Sequence, residues 1–341
     1  MNKKWYKRKG KEGDIVLSTR VRLARNLRDY PFPGKMTPTQ EREVVDAIAK
    51  AMASSPSGND FQLIEISSLP DLERRTLMEK HLISNDLAEG KGVRAMLLSS
   101  DESVSIMINE EDHLRIQVLG AGLCLEECLK KAIEIDDALD SNLKYAFDET
   151  LGYLTKCPTN LGTGIRASVM LHLPALTKSG AIRSLATSVG KLGFVVRGLY
   201  GEGSMAKGAL YQISNQMTLG FDEETIVKRL GDVLAQIIEH ERNYRKEMLK
   251  AGKLRIEDQV WRSAGTLAYA RSVSTDEAMQ LLSDLRMGVS MGLFEADIEK
   301  LNSLLWEIQP ANLTKASGKE RLTPEERDVR RAELLRKAFQ S

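Results

Sequence analysis

Alternation with a period of two dominates the first half of the chain. In DIVLSTRVRL (14–23) the apolar residues Ile15, Leu17, Val21 and Leu23 fall on odd positions, which puts Ser18, Arg20 and Arg22 on the other side of a strand. FQLIEIS (61–67), VRAMLLSS (93–100) and ESVSIMI (102–108) predict further strands. LRIQV (114–118) returns after NEEDH, so an antiparallel hairpin with a five-residue loop is expected there. Helical spacing takes over at 123–147, where Leu125, Leu129, Ala132, Ile135, Leu139 and Leu143 recur along one face. IRASVMLHL (165–173) alternates again, with Arg166, Ser168 and His172 on its polar side. A helix over 175–191 and strands in FVVRGLYGEGS and ALYQISNQMTL follow. Strands joined by short loops and interleaved with helices call for an α+β fold, a largely antiparallel sheet flanked by helices.

After about residue 222 strand signals nearly vanish. The pattern predicts a C-terminal all-α domain over 255–341, whose last helix opens on TPEE (323–326). There Thr323 is the N-cap, Pro324 stands at the first position and Glu326 closes a capping box.

Composition narrows the class. The 341 residues include 42% hydrophobic ones, enough for a sizeable core, and 49 basic side chains nearly balance 48 acidic ones. A net charge of +1, without a basic block interleaved with aromatics, gives no reason to expect direct nucleic-acid binding. Three cysteines (Cys124, Cys128, Cys157) are too few and too unevenly placed for a disulfide framework, which points to a reducing compartment. The basic start MNKKWYKRKGKEGD has no apolar segment of the secretory kind, and no apolar run is long enough to cross a membrane. A cytoplasmic protein with no membrane partner is expected.

The polar sides of the strands carry an unusual load of arginine: Arg20, Arg22, Arg115, Arg166 and Arg197. Any one of them alone reads as a solvated surface residue. Five on one sheet, several beside Gly-rich or acidic turns, suit phosphate, which guanidinium groups bind bidentately. No G-x-x-x-x-G-K-[ST] loop is present, so phosphate binding would rest on side chains. The acidic turn Glu110, Glu111, Asp112 with His113 lacks the paired histidine spacing of a metal site, and His81, His172 and His240 do not supply it. A second acid, Glu202, stands in the glycine-rich GLYGEGS. Two carboxylates opposite an arginine-lined site suggest phosphoryl transfer to a basic acceptor.

STRVRLARN (18–26), NEEDHLR (109–115), CPTNLGTGIR (157–166) and RGLYGEGS (197–204) resemble, in order, the motifs of the phosphagen (guanidino) kinases. The resemblance covers roughly 14–245 and implies a guanidino kinase catalytic domain that uses ATP and Mg²⁺, with the metal held by ATP phosphates and water. It places Ser18, Thr19, Arg20, Val21 and Arg22, then Arg115, then Arg166, Ala167, Ser168, Val169 and Met170, then Arg197, Gly198, Leu199, Tyr200 and Gly201, around the nucleotide. It also puts His81 near the adenine and ribose. It makes Glu111 and Glu202 the groups that hold and deprotonate the acceptor guanidinium, with Cys157 beside it, and leaves Cys124 and Cys128 as packing residues.

Small-substrate members carry a helical N-terminal domain, for which there is no room before Ser18, and lack a helical C-terminal region. With RDVRRA at 327–332, the chain is similar over essentially its whole length to the bacterial branch of that family that phosphorylates arginine side chains of proteins. That similarity implies a phosphoarginine-binding regulatory site at Arg327, Asp328 and Arg331, although a charge run on a terminal helix is by itself a solvated face. It implies as partners proteins with exposed arginine, an activator protein McsA, the Clp ATPase and protease, the heat-shock repressor CtsR, and a second copy of the chain in a homodimer or larger homo-oligomer. The alternatives are a small-molecule guanidino (arginine) kinase and a non-catalytic adaptor that binds phosphoarginine.

Overall fold

The computed structural model describes residues 4–198 and 207–340. Its centre is a sheet of eight strands: β1 (Val16–Arg25), β2 (Phe61–Glu65), β3 (Ala95–Ser99), β4 (Val104–Ile108), β5 (Leu114–Ala121), β8 (Ile165–His172), β9 (Phe194–Gly198) and β10 (Leu210–Asn215). A separate two-stranded hairpin, β6 (Phe147–Asp148) and β7 (Gly152–Tyr153), stands beside it. The order across the large sheet is β2-β3-β4-β5-β1-β8-β10-β9, and every pairing is antiparallel. The expected α+β class and antiparallel sheet are both present.

Helices α1 (Pro38–Ala53), α2 (Asp71–Glu79), α3 (Asn85–Glu89), α4 (Leu125–Asp140), α5 (Pro174–Lys178) and α6 (Ile182–Lys191) belong to the sheet region. The chain then continues in α7 (Glu223–Tyr269), α8 (Thr275–Ser290), α9 (Ile298–Glu307), α10 (Pro310–Ala316) and α11 (Pro324–Phe339). One side of the sheet is apolar because period two puts Val21, Leu23, Ile116, Val118, Val169 and Leu171 there. They pack against Val44 and Ile48 of α1, Leu129 and Ile135 of α4, and Leu230 and Leu234 of α7. The other side carries the arginines and is only partly covered.

Three expectations need adjustment. The helix expected over 123–147 covers only Leu125–Asp140, and the one over 175–191 is broken into α5 and α6 around Gly180, whose φ of 76° is left-handed. Leu17 does not join its odd-numbered neighbours. The β1–β8 register shifts between Val16 and Ser18, and this bulge turns Leu17 into the cluster formed by the C-terminal helices. Helix α7 is kinked at Gly252 (φ −177°, ψ 65°), where two helical stretches meet, within the 245–255 interval between the two expected regions.

Helix α1, a further element beyond the expected ones, opens on a capping box of Thr37 with Gln40, the same device as Thr323 with Glu326 in α11.

The two regions share buried polar contacts. Arg286 of α8 donates to the carbonyls of Gly13 (2.7 Å) and Asp14 (3.2 Å), and Arg245 of α7 donates to those of Asp14 (3.4 Å) and His172 (3.2 Å). Within the sheet region, Arg25 is fully buried and donates to Asp136 of α4 at 2.6 and 3.0 Å, with its guanidinium 3.4 Å from the centre of the Tyr153 ring. Removing one partner of a buried pair strands the other charge. Asp136→Ala is therefore expected to lower unfolding free energy by about 3–5 kcal/mol, read as the midpoint shift in urea denaturation.

Candidate active site

Antiparallel register brings distant arginines onto one surface. Arg22 of β1 lies directly opposite Arg166 of β8 and opposite Gln117 of β5, while Arg20 lies opposite Ser168 and Arg197 opposite Gln212. Arg20, Arg22, Arg115, Arg166 and Arg197 all line one open cleft of about 370 Å³, whose rim includes Glu111 and Cys157. Like charges paired across a ladder repel. Burial, followed by Arg20, Arg115 and Arg166, holds the Arg22 guanidinium well below its ordinary value, and Arg20 is pushed down to about 10 by burial and by Arg115 and Arg166. Arginine keeps its proton at neutral pH, so these shifts express first the burial of charge and then the mutual repulsion, which a bound polyanion would offset. The Arg22 Nε is buried and has no hydrogen-bond partner among the described residues.

Polar neighbours aim the other guanidinium groups. Arg20 donates to Gln212 Oε1 (2.9 Å) and Ser168 Oγ (3.4 Å), and Arg166 donates to Ser214 Oγ (3.3 Å). Gln212 and Ser214 were not singled out from the sequence; alternation in ALYQISN places both on the polar side and was the available signal.

The five-residue turn Asn109–His113 joins β4 to β5 as expected, and its acids differ in role. Glu110 is buried, accepts from Ser84 Oγ and pairs with Arg115 at 2.7 Å. Glu111 is the exposed one, a third open to solvent, and its Oε2 takes the other Arg115 nitrogen at 2.8 Å. Asp112 Oδ1 accepts from Asn26 Nδ2 (2.7 Å) and from the Lys156 amide (2.8 Å), which ties the approach to Cys157 to the Glu111 turn. His113 accepts from the Leu27 amide at Nδ1, so its Nε2–H donates to the Pro31 carbonyl at 2.9 Å; burial holds it neutral. Among the described residues no group of three or more His, Cys, Asp or Glu side chains is placed to hold a metal ion.

Cys157 precedes a short turn, Pro158–Asn160, and its Sγ lies 3.0 Å from Thr159 Oγ1. The CPTNLGTG loop then runs tight against Thr218, whose hydroxyl donates to the Leu161 carbonyl at 2.6 Å. At Gly162 (φ 103°) a Cβ would lie 2.5 Å from the Thr218 carbonyl oxygen, so both backbone angle and space require glycine.

Of the other residues named from the sequence, Ser18, His81, Ser168 and Met170 line a small cavity that adjoins the cleft at Arg20. Thr19, Val21, Ala167 and Val169 point to the helix layer; Thr19 Oγ1 donates to the Gly122 carbonyl at 2.7 Å. Gly198 ends β9, and Leu199, Tyr200, Gly201 and Glu202 lie outside the described residues. Arg327, Asp328 and Arg331 sit on α11, away from the cleft. Arg331 is buried and committed to the carbonyls of Ile308 (2.9 Å) and Val273 (2.8 Å) and to Asp328 (2.5 Å). Arg327 and Asp328 are partly exposed.

A cleft lined by guanidinium groups, with a carboxylate at its mouth, defines the class. Residues 43–244 match the ATP:guanido phosphotransferase C-terminal catalytic domain, and the chain belongs to that family. Residues 253–341 match the protein-arginine kinase McsB C-terminal domain. The chain is 49% identical over 324 residues to the protein-arginine kinase of Caldanaerobacter subterraneus subsp. tengcongensis, covering 94% of this chain and 96% of that one. It is 49% identical over 335 residues to that of Brevibacillus brevis, covering 97% and 94%. Among solved structures, lombricine kinase superposes with a TM-score of 0.61 at 27% identity, covering 72% of this chain and 69% of that one.

The arginine cluster destabilises the chain as long as no anion fills it. Arg22→Met removes a partly buried charge that faces another across the ladder. It is expected to raise Tm in anion-free buffer by about 1–2 °C, equivalent to about 1 kcal/mol, in a thermal scan.

Proposed function

We propose that the chain is a protein-arginine kinase that transfers the γ-phosphoryl group of ATP to arginine side chains of proteins. The observation that carries the reading is five arginines converging on one cleft with Glu111 at its rim. Residues 14–245 form the catalytic part and 255–341 the regulatory part in this reading.

The nucleotide phosphates lie along Arg20, Arg22, Arg115, Arg166 and Arg197, which neutralise charge on the group in transit. Glu111 already holds one guanidinium, that of Arg115, at 2.8 Å, so its carboxylate has the chemistry to orient a second, presented by the acceptor. An arginine side chain is protonated and a poor nucleophile. Glu111 and Glu202 align one of its nitrogens with the γ-phosphorus, and a carboxylate takes the proton as the N–P bond forms and the bond to the β-phosphate oxygen breaks, releasing ADP. Glu111, the described carboxylate that lines the cleft, is engaged by Arg115, so Mg²⁺ would be held by the ATP phosphates and water rather than by side chains and would supply further charge neutralisation. Cys157 flanks the acceptor.

On α11, Arg327 and Asp328 form the phosphoarginine-binding regulatory site, Asp328 facing the guanidinium and Arg327 the phosphoryl group. Arg331 serves mainly to hold that helix in place. By kinship with the protein-arginine kinases, the cellular setting is the cytoplasm, the chain works as a homo-oligomer, its activator is McsA, and its substrates include the repressor CtsR and proteins destined for Clp proteolysis.

Incubation of a protein substrate with MgATP, followed by mass spectrometry under conditions that preserve acid-labile phosphoarginine, tests transfer directly. Glu111→Gln is expected to keep the wild-type Tm and lose at least about 100-fold in turnover. Full activity in a folded Glu111→Gln protein would remove the assignment. Free arginine as acceptor in the same assay separates this reading from that of a small-molecule kinase.

A further inference from the structure

Two thiols outside the cleft stand in direct contact, with Cys124 Sγ 3.6 Å from Cys128 Sγ. Cys124 is the N-cap of α4 (φ −146°, ψ 53°), so its side chain is not bound to the helical direction. Cys128, at the end of the first turn, is buried in the core with Leu125 and Leu129. Both sulfurs sit on Gly120 of β5, where a Cβ would come within 2.3 Å of Cys124 Sγ and 3.1 Å of Cys128 Sγ. The missing side chain makes room for the pair. Gly120 lies opposite Thr19 in the β1–β5 ladder, and Leu119 lies opposite Arg20. The Thr19 hydroxyl accepts from the Cys124 amide (3.1 Å) and donates to the Gly122 carbonyl (2.7 Å). The dithiol therefore backs the residue that precedes Arg20, on the helix side of the sheet. Cys124 is half-buried and Cys128 buried, so an oxidant reaches Cys124 first. A helix start favours a thiolate. The Cys128 thiol holds Cys124 below its ordinary value against the effect of burial, with Thr19 assisting, while Cys124 and burial push Cys128 up.

We propose that Cys124 and Cys128 are a site of reversible oxidation by hydrogen peroxide, Cys124 as the attacking sulfur and Cys128 as the resolving one, and that the disulfide loosens the phosphate cleft. The Cys124 thiolate attacks the peroxide O–O bond, which breaks; Cys124 becomes a sulfenic acid, and the departing hydroxide takes up a proton to give water. Cys128 sulfur then displaces the sulfenic hydroxyl, which leaves with the Cys128 proton as a second water while the S–S bond forms. Two thiols have lost two electrons, and the peroxide is reduced to two waters. Bond formation requires the sulfurs to close from 3.6 Å to about 2.05 Å. Cys128 is fixed by core packing, so the movement falls on the N-cap and passes through the Cys124 amide to Thr19 and its neighbour Arg20. This last step rests on the reading of the arginine row as the phosphate site.

Peroxide treatment of the full chain, followed by alkylation and tryptic mass mapping, tests the site. Both cysteines fall in the peptide 116–130, and Cys157 lies outside it. That peptide is expected to become lighter by two hydrogens, to resist alkylation and to recover both thiols in dithiothreitol. In Cys128→Ser a dimedone-reactive sulfenic acid should persist at Cys124. In Cys124→Ser, where serine keeps the helix capped, Cys128 should remain a thiol. A peptide that keeps both thiols while Cys157 is oxidised, or sulfenic acid at Cys128 in Cys124→Ser, overturns the proposal. Calorimetry with inorganic tripolyphosphate reads the effect on the cleft. Oxidised wild type is expected to bind at least about threefold more weakly than the reduced protein, and peroxide-treated Cys124→Ser to bind as it did before treatment. Equal affinity of oxidised and reduced wild type overturns the link to Arg20. Reduced wild type that does not bind tripolyphosphate refutes the phosphate reading and that link together, and the mass map alone then decides the disulfide.

Discussion

Arg22 and Arg166 face each other across the β1–β8 ladder, and this like-charge pair organises the molecule. Cross-strand cations on a partly buried surface oppose folding. The strands nevertheless stay in register because their other side is fixed by dense apolar packing. Val21 and Leu23 on β1, and Ala167 and Val169 on β8, are fully buried against the helix layer. A one-residue slip would bury the arginines and expose that set, at a cost of about 1.5–3 kcal/mol for each large apolar side chain, so the register has a single low-energy solution. Apolar residues on one side thus hold the charges on the other in a geometry they would not adopt by themselves.

The acidic turn is the local counterweight, and its three acids divide the task by depth. Glu110, buried, neutralises Arg115 and takes the Ser84 hydroxyl, which binds the turn to the start of α3. Asp112 joins Asn26 of the β1 exit to Lys156 beside Cys157. Glu111 alone keeps access to solvent. The two buried acids make the third one a fixed carboxylate rather than a mobile one, which matters for any group that must meet an acceptor in line with a phosphorus atom.

Most of the sheet was legible in the sequence, because one-sided burial writes itself as alternation. The arginine row followed from the same arithmetic: Arg20, Arg22, Arg115, Arg166 and Arg197 occupy the polar phase of their strands and converge. What stayed hidden has physical causes. Leu17 broke phase because a bulge is a local change in pairing that composition does not signal. Helix 175–191 broke at Gly180, a residue that helices tolerate as well as end on. Trp5 and Trp306, 301 positions apart by subtraction of their numbers, carry no motif at all; only packing of the chain start on α9 brings them together.

The bulge at Leu17 also explains why the C-terminal helices bear on the site. By turning Leu17 to the arginine side, it makes that side apolar at the start of β1, where Met170 and Leu210 join it and the helical cluster of Val260, Met279, Leu282 and Leu305 covers all three. Arg286 and Arg245 grip the carbonyls of Gly13 and Asp14 just upstream, and His172 at the end of β8 meets Ser283 of α8 at 2.8 Å. The strand that presents Ser18, Arg20 and Arg22 is therefore anchored at its entry by α7 and α8. Any rearrangement of those helices must pass through a buried polar lattice with few alternative partners, and such lattices shift between discrete arrangements rather than deform smoothly. Helix α11 packs on α7 and shares the Val273–Asp328 backbone hydrogen bond with the segment leading into α8, so a displacement of α11 has a short covalent and packed route to Arg20 and Arg22.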